Sequence, residues 1–64
     1  MNISKIKLNI IMASRGLNFI DLANLSKVSR VTLSYINNGK ACRPDIAYKI
    51  ATALNVNVTE LIEE

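Results

Sequence analysis

Closely spaced turn signals allow only short structural elements in this chain. The few Gly and Pro residues lie at the edges of apolar segments, at Gly16, Gly39 and Pro44. Within these segments apolar residues recur three or four positions apart, as Leu8 and Ile11 do, and no stretch alternates apolar and polar residues as a strand would. The sequence therefore predicts an all-α fold of short helices joined by tight turns.

Capping residues define the ends of five predicted helices. Ser4, Asn18 and Ser29 precede apolar segments and can accept hydrogen bonds from free N–H groups of the first helical turn. Gly16 suits the left-handed position after a helix, and Pro44 suits the first position inside one. The predicted helices span residues 4–15, 19–25 and 30–37, a fourth begins at residue 44, and a short fifth spans residues 57–62, where Asn57 and Glu60 resemble a capping box.

Length and composition limit the possible classes of protein. With 64 residues the chain is predicted to form one domain, residues 1–64, with a small core and marginal stability. Half of the residues are hydrophobic, which argues against disorder. The single cysteine, Cys42, excludes an internal disulfide, and we interpret it as a passive small side chain rather than a redox sensor. No signal peptide or membrane span is recognisable, which predicts a cytoplasmic protein with no membrane partner.

Residues for catalysis or metal binding are missing from the sequence. It contains no His, and its acidic residues and single Cys match no zinc or calcium spacing. No Ser has a base in a triad-like set, and there is no glycine-rich phosphate loop. The sequence therefore predicts a protein that is not an enzyme and has no cofactor.

Positive charge is concentrated in most of the chain, and negative charge at its end. Residues 1–54 contain all eight Lys and Arg but only two acidic residues, whereas residues 55–64 contain three Glu and no basic residue. A basic body of this kind fits a polyanionic partner. The alternative is a solvated surface whose asymmetry arose by chance.

The second and third predicted helices are joined by a three-residue turn, residues 26–28, followed by the cap Ser29, as in a helix-turn-helix unit. Two helices that cross steeply need a small residue at their closest approach, and Ala23 is suited to that position. Leu33 and Ile36 lie three apart on the third helix and are predicted to face the core, while Val28 fills the turn.

The outer face of the third predicted helix carries mixed chemistry and no acidic residue. With Leu33 facing inward, a rotation of about 100° per residue turns the following side chains outward: Arg30, Val31, Ser34, Tyr35 and Asn38. A helix face that meets only solvent would usually carry several Glu and Lys. A surface of hydrogen-bonding edges and methyl groups, such as the DNA major groove, would complement this face.

The ordered set of these features resembles the phage-repressor family of helix-turn-helix proteins, the Cro/C1-type or XRE-like family. The resemblance extends from about residue 5 to residue 62. The matching positions are Leu8 and Ile11, Gly16–Leu17, Leu22–Ala23, Val28–Ser29, Leu33 and Ile36, Asn38–Gly39–Lys40, Ile50–Ala51, Ala53–Leu54, Val56 and Glu60–Leu61. The resemblance implies a compact five-helix, lambda-repressor-like DNA-binding domain.

Roles for individual residues follow from this resemblance. The positions implied to contact DNA bases are Arg30, Val31, Ser34 and Tyr35, and those implied to contact phosphates are Asn18, Asn38, Lys40 and Arg43. Arg30 can also be explained as a surface residue paired with a carboxylate, Tyr35 as half-buried packing, and Lys40 and Arg43 as solvated loop charges.

Three positions depart from the usual pattern of the family. Phe19 replaces the Gln that often opens the second helix, so a contact to phosphate or a buttressing side chain is in doubt. Lys27 stands where Gly is usual in the turn and carries a cost of roughly 1 kcal/mol if the backbone is left-handed there. Asp45 stands where some relatives have a basic residue near the minor groove.

The predicted function is a sequence-specific regulator of transcription that binds double-stranded DNA, with a repressor or a phage-type switch protein favoured. We expect a homodimer with two recognition helices about 34 Å apart, in which Val58, Leu61 and Ile62 of the last helix make the dimer contact. Two alternatives remain open: an antitoxin that binds both DNA and a toxin, and a protein-interaction module without DNA binding.

Overall fold

The structure is a computed structural model that describes residues 1–63, which form four α-helices and one 3₁₀ turn. The helices are α1 (Lys5–Ser14), α2 (Phe19–Ser26), α3 (Arg30–Asn37) and α4 (Pro44–Leu54), and the 3₁₀ turn is Val58–Glu60. The predicted all-α class is therefore confirmed. Glu64, which belongs to the predicted domain and its acidic end, lies outside the described residues.

Side-chain caps begin the first three helices at the predicted residues. Ser4, Asn18 and Ser29 each accept a hydrogen bond from a backbone N–H three residues further on, at 2.8–3.2 Å. Asp21 completes a capping box, because its carboxylate accepts from the N–H of Asn18 at 3.2 Å. These bonds satisfy donors that have no partner within the helix. Gly16, with φ of +65°, follows α1 in the predicted left-handed conformation.

The predicted fifth helix, residues 57–62, is wrong in type and length. The chain forms a single 3₁₀ turn at Val58–Glu60, which the carboxylate of Glu60 holds by accepting from the N–H of Asn57 at 2.8 Å. The five-helix description is thus corrected to four α-helices and this turn.

The chain after the 3₁₀ turn pairs with the segment before α1 instead of continuing as a helix. Ile3 and Ile62 form an isolated antiparallel bridge, in which the N–H of Ser4 donates to the carbonyl of Leu61 at 2.6 Å. Ile3 is buried and joins the core. Because the carbonyl of Leu61 and the N–H of Glu63 are bound to Ser4 and Asn2, these two groups are not available for a further turn of helix.

The core lies between the helices and consists of aliphatic side chains. Its largest fully buried members are Leu8, Leu22, Leu33, Ile36, Ile50, Leu54 and Leu61. Fully burying one such side chain contributes about 1.5–3 kcal/mol. Because α2 packs against both α3 and α4, this core fixes the orientation of α3.

Candidate nucleic-acid interface

The turn between α2 and α3 is organised by Ser26 and Lys27. Ser26 is buried, its hydroxyl donates to the carbonyl of Leu22 at 2.7 Å, and its oxygen accepts from the N–H of Val28 at 3.2 Å. Lys27 has φ of 62° and ψ of 22°, which is the left-handed conformation. Val28 is buried and fills the turn as predicted. The turn therefore sets the direction of α3 through one buried hydroxyl and one strained residue.

The two faces of α3 differ as the helical rotation predicts. Leu33 and Ile36 are buried in the core, whereas Val31 and Tyr35 are 60% and 51% exposed. Arg30 at the beginning of the helix is also exposed. The described residues expose eight large hydrophobic side chains, and two of them, Val31 and Tyr35, share the outer face of α3 with Arg30. Apolar, hydroxyl and cationic groups are thus presented together on this face.

Ser34 and Asn38 lie on the same exposed face, but Asn38 is also used within the helix. Its side-chain amide donates to the carbonyl of Ser34 at 2.8 Å, while Asn38 itself ends α3. Next to it, Gly39 has φ of +93° and turns the chain away from the helix. This arrangement fixes the position of the loop that carries the two cations after α3.

Lys40 folds back over the last turn of α3. Its ammonium nitrogen lies 4.7 Å from the centroid of the Tyr35 ring, and its backbone N–H donates to the carbonyl of Tyr35 at 3.0 Å. A cation over an aromatic face is attracted by the quadrupole of the ring. Lys40 is therefore held beside the exposed face of α3.

Arg43 is exposed at the beginning of α4 and forms an ion pair with Asp45. Arg43 Nε lies 3.3 Å from Asp45 Oδ1, and Nη2 donates to Oδ2 at 3.3 Å. Tyr35, Lys40 and Arg43, with Thr32, line one open depression of about 330 Å³ beside α3. Two of the predicted phosphate-binding cations are thus brought to the same side of α3 as Tyr35.

Asn18 is exposed at the beginning of α2, where its side chain and backbone form the capping box with Asp21. Phe19, which replaces the usual Gln of the family, is half-buried and packs against the core. The first position of α2 therefore serves packing.

The three predicted dimer residues do not form one exposed patch. Leu61 is fully buried within the monomer, so its side chain is not available to a second copy. Val58 and Ile62 are partly exposed. The bridge between Ile3 and Ile62 accounts for this, because it draws the last described residues onto the core.

Two polar links that the sequence pattern did not predict hold α1 in place. The guanidinium of Arg15 donates from Nε to the carbonyl of Leu54 at 2.6 Å, which satisfies a carbonyl at the end of α4. Asn9 donates to Asn37 at 3.1 Å and connects α1 to the last residue of α3. The only signal for Arg15 is its place at the end of α1, which is equally typical of a solvated charge.

Residues 1–63 contain no cluster of three or more His, Cys, Asp and Glu residues that would hold a metal ion. Burial raises the pKa of the Cys42 thiol, because it disfavours the charged thiolate. None of the described helices has the length and apolar character needed to cross a bilayer.

The short turn between α2 and α3, the core-facing side of α3 and its uncovered outer side define a helix-turn-helix protein. The family model for the Cro/C1-type HTH DNA-binding domain matches residues 7–63. This chain belongs to that family of DNA-binding domains, which confirms the resemblance predicted from the sequence. Comparisons with curated proteins and with solved structures gave no significant match.

Proposed function

We propose that this protein is a sequence-specific regulator of transcription that inserts α3 into the major groove of double-stranded DNA. The observation that carries the proposal is the exposed face of α3, where Val31 and Tyr35 lie uncovered next to Arg30. No acidic side chain lies on α3 to repel phosphates. A helix fits the width of the major groove, and the base edges there are distinguishable.

Each side chain on this face has a base-edge partner of suitable chemistry. The guanidinium of Arg30 can donate two hydrogen bonds to O6 and N7 of guanine, a contact worth about 1–3 kcal/mol of discrimination. Val31 and the ring of Tyr35 can pack against thymine methyl groups, and the hydroxyl of Ser34 can donate or accept.

Phosphate contacts would fix the register of α3 in the groove. Lys40 and Arg43 supply charge on one side of the helix, and Asn38 supplies an amide at its end. On the other side, Asn18 supplies its side-chain amide at the beginning of α2, next to the first-turn N–H groups that lie outside the capping box. Such contacts carry little sequence information but supply much of the affinity.

Repression through a homodimer is the mode that we favour. Two copies would place their α3 helices in successive major grooves, about 34 Å apart, and occupation of the DNA would itself exclude other proteins. Val58 and Ile62 remain the candidate dimer contacts. Sedimentation of the free protein and of its complex with DNA tests this part of the proposal, and a monomer under both conditions would contradict it.

The first experiment is fluorescence anisotropy with duplexes selected from a random library and with unselected duplexes, at two salt concentrations. We expect Arg30→Ala to reduce the preference for selected duplexes by about 5- to 100-fold, because its base contacts carry discrimination. The matched control is Lys49→Ala, which removes one positive charge from α4 at a depression that Leu25 and Ser26 of α2 also line. Its preference for selected duplexes should be unchanged.

Two outcomes would overturn the proposal. If the wild-type protein binds no duplex even at low salt, a protein partner becomes the better explanation of the exposed face of α3. If it binds but Arg30→Ala and Lys49→Ala lose affinity equally for all duplexes, α3 does not read bases. Steep salt dependence together with lost preference in Arg30→Ala supports it.

A further inference from the structure

The ion pair between Arg43 and Asp45 lies among the residues that are proposed to bind the DNA backbone. Within residues 1–63 it is the one ion pair with a nitrogen–oxygen distance within 4.0 Å. Both side chains are largely exposed, at 77% for Arg43 and 54% for Asp45. One hydrogen bond of 3.3 Å runs from Nη2 to Oδ2, and Nε lies 3.3 Å from Oδ1, so the carboxylate faces the Nε–Nη2 edge of the guanidinium.

A carboxylate and a phosphate compete for the same edge of a guanidinium. The edge that contains Nε and Nη2 of Arg43 already faces the oxygens of Asp45. A phosphate oxygen pair would bind that same edge. Arg43 must therefore exchange one anion for the other if it binds DNA through this edge.

We propose that Asp45 acts as an internal competitor for the phosphate contact of Arg43, and so sets how tightly the protein binds DNA of any sequence. The inference rests on the proposed function. In the free protein Asp45 occupies Arg43, and on binding a backbone phosphate takes its place. Asp45 thereby lowers the binding free energy gained from the contact between Arg43 and phosphate, because the carboxylate loses its guanidinium partner in the complex.

A simpler role for Asp45 would be to stabilise α4 alone. It lies in the first turn of that helix, where a negative charge interacts favourably with the helix dipole. A third possibility is that its charge repels DNA directly, without acting through Arg43. The three roles differ in what happens when Arg43 is removed, which makes a double-mutant cycle the decisive measurement.

The experiment measures binding of an unselected duplex by wild type, Asp45→Asn, Arg43→Ala and the double variant, over a range of salt concentrations. We expect Asp45→Asn to raise the affinity about two- to fivefold, the range typical of an exposed pair. Its logarithmic salt dependence should become steeper by up to about 0.9, the value of one phosphate contact. In the Arg43→Ala background Asp45→Asn should have no effect. Glu63→Gln is the control, because it removes one exposed carboxylate outside α4.

Several results would overturn the inference. An equal gain with and without Arg43, or an equal gain in Glu63→Gln, would mean that Asp45 only repels DNA. If Asp45→Asn leaves the affinity unchanged but lowers the midpoint of thermal unfolding, Asp45 acts only by stabilising α4. If Asp45→Asn unfolds, Asp45→Ser provides the same test with another polar residue. If the wild-type protein binds no duplex, the proposed function itself is overturned. If the wild type binds but the effect of Asp45→Asn does not depend on Arg43, only the role of Asp45 is overturned.

Discussion

The ammonium nitrogen of Lys40 lies over the ring of Tyr35, 4.7 Å from its centroid, so a proposed phosphate contact and a proposed base contact touch each other in the free protein. The backbone hydrogen bond from Lys40 to Tyr35 reinforces this arrangement. The loop after α3 is therefore positioned on the recognition helix before any DNA is bound, which lowers the cost of ordering it in a complex.

Substitutions at these two residues should separate affinity from specificity. We expect Lys40→Ala to weaken binding to selected and unselected duplexes by a similar factor, with a salt dependence shallower by about 0.9, because one phosphate contact is lost. Tyr35→Ala should instead lower the preference for selected duplexes, by about fivefold for a loss of roughly 1 kcal/mol. Anisotropy titrations measure both effects. A loss of preference in Lys40→Ala without a change of salt dependence would contradict these roles.

Replacing Lys27 by Gly should stabilise the protein. Lys27 has φ of 62°, a conformation that is unfavourable for a residue with a side chain and natural for Gly. After allowance for the greater freedom of Gly in the unfolded chain, we expect a gain of about 0.5–1 kcal/mol in the free energy of unfolding. Urea titration measures it. Asn55, with φ of 58°, is the matched control, because Asn tolerates this conformation better and Asn55→Gly should gain less.

Ser26→Ala should destabilise the protein more than the removal of one small hydroxyl group suggests. The hydroxyl of Ser26 accepts from the N–H of Val28 inside the protein, and its removal leaves that donor without its partner. We expect a cost of about 1–3 kcal/mol in unfolding free energy. Ser14→Ala removes an exposed hydroxyl that donates to the carbonyl of Ile11 and accepts from the exposed Arg15 Nη1, and its cost should stay within about 0.5 kcal/mol. Equal costs in chemical denaturation would show that the turn does not depend on Ser26.

Shortening the side chain of Ile3 should destabilise the core, although Ile3 precedes the first helix. Ile3 is 3% exposed, and we expect Ile3→Val to cost about 0.5–1.5 kcal/mol in unfolding free energy. Ile6 on α1 is 72% exposed, so Ile6→Val is the matched change at the surface and should be nearly neutral. Thermal unfolding of the two variants compares them directly. A neutral Ile3→Val would mean that the bridge to Ile62 is not formed in solution.

Local signals explain why most of the fold could be predicted from the sequence. Ser4, Asn18 and Ser29 cap helices through contacts within three residues, and these contacts do not depend on the rest of the molecule. The outward orientation of α3 was equally accessible, because the inward positions of Leu33 and Ile36 fix the rotation of a regular helix.

Features that depend on distant partners could not be predicted. The local pattern of residues 57–62 favours a helix, but pairing with Ile3 across nearly the whole chain stops it after one turn. Similarly, nothing near Arg15 in the sequence distinguishes a solvated charge from one that donates to the carbonyl of Leu54. Both outcomes depend on how separated backbone and side-chain groups meet after folding.

The bridge between Ile3 and Ile62 also has a kinetic consequence. It closes a loop that contains nearly all of the described residues, and contacts between distant residues incur the entropy of loop closure before they add stability. The helix-turn-helix contacts are local by comparison and can form earlier. Substitutions at the bridge should therefore accelerate unfolding while leaving the refolding rate nearly constant. The bridge then determines the lifetime of each folded molecule.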